Sequence, residues 1–285
     1  MTVTPLRQRM LDDMALRNMS PNTQKVYTAA IANFAKHFGR SPDKLGIDDI
    51  RLYRLHLLDR GLKVSSIFPI VGALRFFYGI TLQRKDIAEQ IPFPRREDTL
   101  PSVLSPDEVV QLLGAVEGLK MRVALTAIYA AGLRVSEVVT LTAPDIDSKR
   151  MVIHIRQAKG KKDRYVMLSE QLLRILRRYF KRARPTLFLF PSPDAGQPLT
   201  TRSLQRACKS AAEKARIDKG VTVHTLRHSF ATHLLEQGVD IRVIQDILGH
   251  RQITSTTRYA RVALNVIRQI QSLLERLILD DRSIA

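Results

Sequence analysis

The chain has 285 residues, and its 45% hydrophobic content provides enough apolar surface for one large or two ordinary folded domains. Lysine and arginine number 46 against 27 acidic residues, so the formal net charge is +19. Such a charge repels itself unless an anionic partner screens it, which favours a nucleic acid as the partner.

An anionic membrane surface is the alternative partner, and the apolar pattern argues against it. The sequence shows no apolar run of about 18 residues. Its longest apolar stretch, residues 123–133, is too short to span a bilayer. The opening MTVTPLRQRM lacks the apolar core of a signal peptide. We therefore expect a soluble, cytoplasmic protein with no membrane partner.

The N-terminal third of the chain shows the start and stop signals of successive helices. Ser20, followed by a proline, supplies a capping hydroxyl to a helix that ends at Gly39. A second helix is expected to start at Asp48 or Asp49. Its apolar positions are Leu52, Leu55, Leu57 and Leu58. A third helix covers roughly residues 64–78.

A linker follows, because IPFPRREDTLPSVLS at residues 91–105 combines three prolines with four charges and has no apolar period. Ser105 and Glu108 then form a capping box that restarts helix. We predict a helical domain over residues 1–92, a linker over 93–103 and a second domain over 104–285.

The second domain contains a predicted β-hairpin. MVIHIRQ at 151–157 and RYVML at 164–168 are rich in strand-forming residues and flank a lysine-loaded tip. Further helices start at Ser169 and after Thr201. The single cysteine, Cys208, excludes intrachain disulfides and keeps helical spacing with apolar neighbours, so it is expected to be buried. The predicted fold is mainly α with a small antiparallel β-sheet.

Two polar sites stand out in the first part of this domain. Arg134 and Glu137 interrupt the apolar run AAGLRVSEVVTL, and their three-residue spacing allows them to pair. They form either a helix-surface salt bridge or part of a cleft. Lys159 lies at the hairpin tip. A solvated turn or a contact to a phosphate backbone is a simpler interpretation of this lysine than a catalytic role.

Two more polar sites follow. His224 and Arg227 share one face near the start of a helix in HTLRHSFATHLLEQG. A metal site at His228 and His233 is the alternative there, but no HExxH pattern or carboxylate cluster supports it, so structural roles are favoured.

The fourth site is LGHRQITSTTRYARV at residues 248–262. Asp240 caps a helix that ends at Gly249, so His250 follows a helix C-terminus, and Tyr259 lies on a separate element. Alone, Tyr259 would be a packing residue, and the arginines beside it are best interpreted as DNA-backbone contacts or activators.

Together these side chains suit one anionic group. The planar guanidinium of arginine binds phosphate oxygens with two parallel hydrogen bonds, and two arginines can neutralise a phosphoryl-transfer transition state without metal. A free tyrosine has a pKa of about 10 and needs a base or a strong positive potential to attack. The set therefore indicates metal-free phosphoryl transfer through a covalent phosphotyrosine.

Four motifs of the chain resemble those of the tyrosine recombinase (phage integrase) family. They are AAGLRVSEVVTL, QAKGKKDRYVML, HTLRHSFATHLLEQG and IQDILGH, and Tyr259 follows nine residues after the last. The match in order and spacing covers roughly residues 104–265 and is strongest to the Xer-like and integron-integrase-like members. The N-terminal half resembles the SAM-like core-binding domain of that family. The resemblance implies that Tyr259 is the nucleophile, that Arg134 and Arg227 clamp the phosphate, and that Lys159 is the general acid.

The resemblance assigns three further roles. His224 becomes the candidate base, His250 a donor to the phosphate, and Glu137 the supporting acidic residue. Neither a metal nor ATP is implied. Two departures, Arg251 in place of a serine and Tyr-Ala-Arg in place of Tyr-Thr-His, touch no catalytic position. The sequence shows no sign of the helical insertion typical of integron integrases. It also shows no sign of the N-terminal arm domain of lambda-type integrases, and both observations argue against those subgroups.

The implied activity is site-specific DNA recombination. Family members bind inverted half-sites as dimers, assemble as tetramers and exchange strands through 3′-phosphotyrosine and a Holliday junction. They integrate or excise mobile elements or resolve chromosome dimers, in the cytoplasm at the nucleoid, and some need a second recombinase. The amphipathic segment 265–279 suits docking on a neighbouring protomer.

Three other functions compete with this one. A type IB topoisomerase shares the chemistry but acts as a monomer, which would have no partner for segment 265–279. A catalytically silent DNA-binding factor fits the net charge but has no need of the catalytic-type residues. A metal-dependent nuclease would need a carboxylate cluster, which the sequence lacks.

Overall fold

The computed structural model describes residues 4–95, 102–158, 162–194 and 196–249. They form a mainly helical protein with one small antiparallel sheet, so the predicted fold class is confirmed. The chain divides into two compact units, Met1–Thr99 and Leu100–Ala285. This division falls inside the expected linker, whose limits at residues 93 and 103 stay a prediction.

The described part of the N-terminal unit is helical throughout. Its α-helices are α1 (Pro5–Leu16), α2 (Pro21–Phe38), α3 (Ile47–Asp59), α4 (Val64–Phe76) and α5 (Lys85–Gln90). A π-helical segment, Phe77–Thr81, continues α4. The sequence did not predict α5, which has six residues and no side-chain cap to mark its start.

The caps of α2 and α3 show how local the start signals are. The Ser20 hydroxyl accepts the backbone N–H of Thr23 at 3.2 Å, and Gly39 ends α2 with a left-handed φ of 62°, both as predicted. Helix α3 starts before the predicted Asp48. The carboxylate of Asp49 instead accepts the N–H of Gly46 at 2.9 Å, and Ile47 is the first helical residue.

Helix α3 buries only one of its four leucines. Three of its four leucines are exposed, at 57% for Leu52, 48% for Leu55 and 51% for Leu58. Its core side instead consists of Ile50, Tyr53 and Leu57. Tyr53 packs its ring 5.1 Å from that of Phe34 in α2, so tertiary packing selected one of two apolar faces that the sequence offers.

The segment Val64–Thr81 corrects the expectation that no long apolar run exists. It has 18 residues at a mean hydropathy of 1.4, which is long and apolar enough to cross a membrane by length and composition alone. It contains Arg75 and Pro69, and 44% of the segment is buried within the structure. Val71 and Leu74 are completely buried, so this segment serves as a core helix of the N-terminal unit.

The described part of the C-terminal unit combines helices with the sheet. Its helices are α6 (Pro106–Gly114), α7 (Leu119–Ala131), α8 (Val135–Val139), α9 (Glu170–Ala183), α10 (Thr201–Lys214), α11 (Val223–Glu236) and α12 (Ile241–Leu248). The predicted capping box of Ser105 and Glu108 is confirmed, with hydrogen bonds of 3.2 and 2.7 Å. Ser169 and Asp240 also cap the helices that they were predicted to start.

The predicted hairpin is confirmed and belongs to a three-stranded antiparallel sheet. Its strands are β1 (Ile146–Asp147), β2 (Val152–Ala158) and β3 (Lys162–Met167), in the order β1-β2-β3. The two-residue strand β1 was not predicted. In the register of β2 and β3, Ile155 lies opposite Arg164.

Helix α7 is the centre of the C-terminal core. All residues from Val123 to Ala131 are buried, which is typical of a helix covered on every side. Helices α9, α10 and α11 pack against it. Cys208 on α10 is buried as predicted, and burial raises the pKa of its thiol to about 12.

Gly132, which ends α7, is expected to tolerate no side chain. Its φ is +61°, and an added Cβ would lie 2.5 Å from Cε1 of Phe230. Gly132→Ala should therefore lower the free energy of unfolding by on the order of 2 to 4 kcal/mol, measured by urea denaturation. Gly238→Ala is the matched control, since its φ of +81° meets open space. It should cost only about 1 kcal/mol, and equal losses at both positions would contradict the steric argument.

Candidate functional site

Arg134 lies between the left-handed turn that ends α7 and the first residue of α8. Its Nη1 donates to Oε1 of Glu137 at 2.7 Å, and its backbone N–H donates to Oε2 of the same carboxylate at 2.8 Å. The pairing predicted from the spacing is thus confirmed. The Glu137 carboxylate caps the start of α8, and 22% of the Arg134 side chain is exposed. The pair therefore lies in a partly buried site and is not a helix-surface salt bridge.

Glu137 holds a cluster of three arginines. Arg164 binds both of its carboxylate oxygens, with Nη1 to Oε1 and Nη2 to Oε2 each at 2.7 Å. Nη1 of Arg227 lies 3.8 Å from Oε2. Burial alone would raise the pKa of Glu137, but hydrogen bonds and attraction from Arg164, joined by those from Arg134, lower it to about 2. Glu137 is therefore ionised at neutral pH.

Arg227 lies in the second turn of α11 and is 3% exposed. Its Nη1 donates to the carbonyl oxygen of Gly132 at 2.5 Å, and its Nη2 donates to that of Leu248 at 2.6 Å. Burial and then the neighbouring Arg134 lower the pKa of Arg227 to about 10, although Glu137 opposes them. Arg227 therefore remains a cation at neutral pH. A bound anion would stabilise this positively charged site.

His224 is the second residue of the same helix, three positions before Arg227. Its ring is exposed to the same cleft as Arg134 and Arg227. Partial burial, followed by the positive charges of Arg227, His228 and Arg134, lowers the pKa of His224 below its usual 6.5. A neutral imidazole in this position can accept a proton.

The side chains of Arg134, His224 and Arg227 line one cleft of 580 Å³ in the C-terminal unit. Gln205 and Lys209 of α10 form another part of its wall, and the sequence analysis did not single them out. The only signal for them was their four-residue spacing on the polar face of α10, a spacing that any solvated helix shows.

Arg164 is the other residue that sequence reasoning missed. Its side chain is 10% exposed and contacts Glu137, and its Nε donates to the carbonyl oxygen of Ile247 at 2.9 Å. These partners are 27 and 83 residues away in the chain, so no local pattern could have indicated them. In the sequence Arg164 is one of many basic residues near the hairpin tip.

The histidines weighed for a metal site have different surroundings. His233 is buried, and its Nδ1 lies 3.0 Å from the hydroxyl of Tyr129, which confirms a structural role. His228 is half-buried. Over the described ranges, no group of three or more His, Cys, Asp and Glu side chains is arranged to hold a metal ion.

Several predicted site residues lie outside the described residues. They are Lys159, His250 and Tyr259, together with Arg251, the two arginines beside Tyr259 and the segment 265–279. The structure therefore places Arg134, Glu137, His224 and Arg227, which it brings together. For the other three catalytic candidates it describes only the neighbouring elements, namely the hairpin strands on either side of Lys159 and the end of α12 before His250.

The described cluster is suited to binding a single anion. Three guanidinium groups share one carboxylate, so positive charge remains uncompensated beside a cleft, where solvent screening is weaker than in water. Arginine donors next to a neutral imidazole match the oxygens of a phosphodiester.

Comparisons with known proteins agree with this chemistry. Residues 102–265 match the sequence profile of the phage integrase family. Residues 6–87 match the profile described as "Phage integrase, N-terminal SAM-like domain".

Individual relatives cover nearly the whole chain. A Sinorhizobium fredii protein provisionally named integrase/recombinase y4qK is 49% identical, over 97% of this chain and 91% of that protein. Tyrosine recombinase XerD of Pseudomonas aeruginosa is 35% identical, over 91% of this chain and 93% of its own length. The crystal structure of a lambda integrase tetramer bound to a Holliday junction has the same fold, with a TM-score of 0.69 at 20% identity, over 89% of this chain and 78% of that one.

Proposed function

The chain belongs to the phage integrase family of tyrosine recombinases, and on that premise we propose that it cuts and rejoins DNA at specific sites. One observation carries the proposal: Arg134 and Arg227, held by a shared ionised Glu137, line the same cleft as a neutral His224. A scissile phosphodiester in this cleft would meet two guanidinium groups and a base.

The proposed reaction starts when the Tyr259 oxygen attacks the phosphorus. A bond from that oxygen to phosphorus forms as the bond to the 5′-oxygen breaks, which leaves a 3′-phosphotyrosine and a free 5′-hydroxyl. His224 takes the tyrosine proton, and Lys159 protonates the departing 5′-oxygen. Arg134 and Arg227 neutralise the charge that builds up on the pentacoordinate phosphorus.

Rejoining reverses these steps on a different strand. A 5′-hydroxyl from the partner DNA attacks the phosphotyrosine, and two such exchanges create and then resolve a Holliday junction. The phosphotyrosine retains the energy of the broken bond, so the proposed cycle consumes no ATP. In this scheme His250 donates a hydrogen bond to the phosphate, and Glu137 acts by holding the arginines.

The proposed assembly is a dimer on two inverted half-sites and a tetramer in the synapse. The lambda integrase tetramer on a Holliday junction supports it as a relative of the same fold. The net charge of +19 supports duplex DNA as the substrate. We place the enzyme in the cytoplasm at the nucleoid, acting on mobile elements or on chromosome dimers, alone or with a second recombinase.

Covalent trapping on a nicked suicide substrate tests this function. Once the target site has been selected from random DNA, the wild-type chain should form a covalent protein–DNA adduct. Tyr259→Phe should form none while its DNA affinity stays unchanged, because only the nucleophilic oxygen is lost. Tyr165→Phe is the matched control, since Tyr165 is an exposed tyrosine of the same domain, and it should form adduct normally.

Two outcomes would contradict the proposal. Adduct formation by Tyr259→Phe would show that another residue attacks the phosphorus. Strong inhibition of the wild-type reaction by EDTA would show that a metal ion takes part in cleavage.

A further inference from the structure

The C-terminal end of α12 is held by three different arginines. The carbonyl groups of its last two residues and of Gly249, which caps it, have no partner within the helix and lie at the negative end of its dipole. Each accepts one guanidinium hydrogen bond. The pairs are Arg164 Nε to Ile247 O at 2.9 Å, Arg227 Nη2 to Leu248 O at 2.6 Å and Arg134 Nη2 to Gly249 O at 3.1 Å.

Arg164 differs from the other two arginines in where it points. Arg134 and Arg227 line the cleft, and Arg164 does not. Both of its Nη atoms are bonded to Glu137, and its Nε is bonded to Ile247. Each of its three nitrogens donates to Glu137 or to α12, and Arg164 is not among the residues that line the cleft, so these contacts point to an effect on a bound phosphate through its neighbours.

Those neighbours are the carboxylate and the helix end that position the clamp. Arg164 fixes both oxygens of Glu137, and the same oxygens orient the side chain and backbone of Arg134. The Arg164 stem also lies against the last residue of the turn, since a Cβ added to Gly249 would be 3.1 Å from its Cδ. The next residue in the chain is His250.

We propose that Arg164 is a positioning residue, which ties strand β3 to Glu137 and to the end of α12 and thereby sets the geometry of the Arg134 and Arg227 clamp. This inference rests on the proposed function, because the clamp is assumed to hold the scissile phosphate. The planar guanidinium is essential to it, since a lysine ammonium cannot bind both carboxylate oxygens side by side and also reach Ile247.

Single-turnover kinetics at saturating DNA separate positioning from stability. The amplitude of adduct formation reports the fraction of folded enzyme, and the rate constant reports active-site geometry. Arg164→Lys should keep the wild-type amplitude, and both Arg164→Lys and Arg164→Leu should lower the rate constant on the order of 10- to 100-fold. The Lys variant covers the case in which the Leu variant folds poorly.

Arg156 provides the matched control. It lies on the neighbouring strand β2, its side chain is 59% exposed, and its Nε pairs with Asp145 at 2.7 Å. Arg156→Lys and Arg156→Leu alter an ion pair of the same sheet that lies outside the Glu137 cluster, and they should leave the rate constant within about twofold of wild type.

A modified substrate shows which part of the site Arg164 serves. A 5′-bridging sulfur leaves as a thiolate and needs no proton, so this substrate should restore cleavage by Lys159→Ala, the proposed general-acid variant. It should not restore cleavage by Arg164→Lys, because the clamp and not the leaving group is affected. Restoration would show that Arg164 acts through the hairpin tip, and this would overturn the proposal.

The remaining outcomes are also decisive. A lower amplitude with an unchanged rate constant would reduce Arg164 to a stability residue, and a wild-type rate in Arg164→Lys would show that charge alone suffices. Either result overturns the positioning role and leaves the proposed function intact. Failure of the wild-type chain to form any adduct would instead refute the proposed function, and the role of Arg164 with it.

Discussion

Replacing Arg227 with lysine is expected to lower the rate of covalent DNA cleavage by about 100- to 1000-fold. The guanidinium of Arg227 bonds two carbonyl oxygens from different elements, Gly132 O and Leu248 O, and lines the cleft at the same time. A lysine ammonium retains the charge but loses the planar array of donors, so it cannot bridge both carbonyls and still bind a phosphate oxygen. The rate is measured as adduct formation on the suicide substrate at saturating DNA.

DNA affinity should change far less than the cleavage rate. Many basic residues share the contacts to the DNA backbone, and each contributes only a part of the binding free energy. Arg242→Lys is the matched control, since Arg242 is an exposed arginine on the adjoining helix α12. It should cleave at the wild-type rate. A loss of affinity with an unchanged cleavage rate at saturating DNA in Arg227→Lys would indicate that Arg227 binds DNA without serving the transition state.

The second large effect is expected on stability, from Glu137→Gln. The change leaves three guanidinium groups in a buried site with no carboxylate, which should cost on the order of 3 kcal/mol in the free energy of unfolding at neutral pH. Glu213→Gln is the control, because Glu213 is 68% exposed and pairs loosely with Lys209 at 3.9 Å. It should change stability by less than about 0.5 kcal/mol.

The pH dependence of this stability difference follows from the pKa of Glu137. Folding lowers that pKa from its ordinary 4.5 to about 2, so the ionised carboxylate stabilises the native state above pH 4.5. As the pH falls through this window the contribution is lost, and the wild type should approach Glu137→Gln in stability. Urea denaturation at a series of pH values measures the difference, and a pH-independent gap would contradict the role given to the charge.

The helix starts were predictable because their signals are local. Ser20, Ser105, Ser169 and Asp240 each bond a backbone N–H within three residues, so a short sequence window contains the whole interaction. The buried face of α3 could not be predicted, for the opposite reason. Which face of that helix is buried depends on the ring of Phe34, which belongs to another helix, and no window around α3 contains it.

The same distinction applies to the site. Arg134 and Glu137 could be paired from sequence because they are three residues apart, and the family resemblance supplied the roles of His224 and Arg227. Arg164 could not be found in this way, since its contacts exist only after β3, α8 and α12 have come together. A buried arginine with a structural partner looks the same in sequence as a solvated one.

The most direct test of the central claim is to identify the residue that carries the DNA in the trapped complex. Trypsin cuts after the two arginines beside Tyr259 and so releases the tripeptide Tyr-Ala-Arg, which mass spectrometry can detect with its nucleotide attached. We predict a nucleotide joined to Tyr259 through its 3′-phosphate. A nucleotide on any other peptide, or one joined through its 5′-phosphate, would contradict the proposed mechanism.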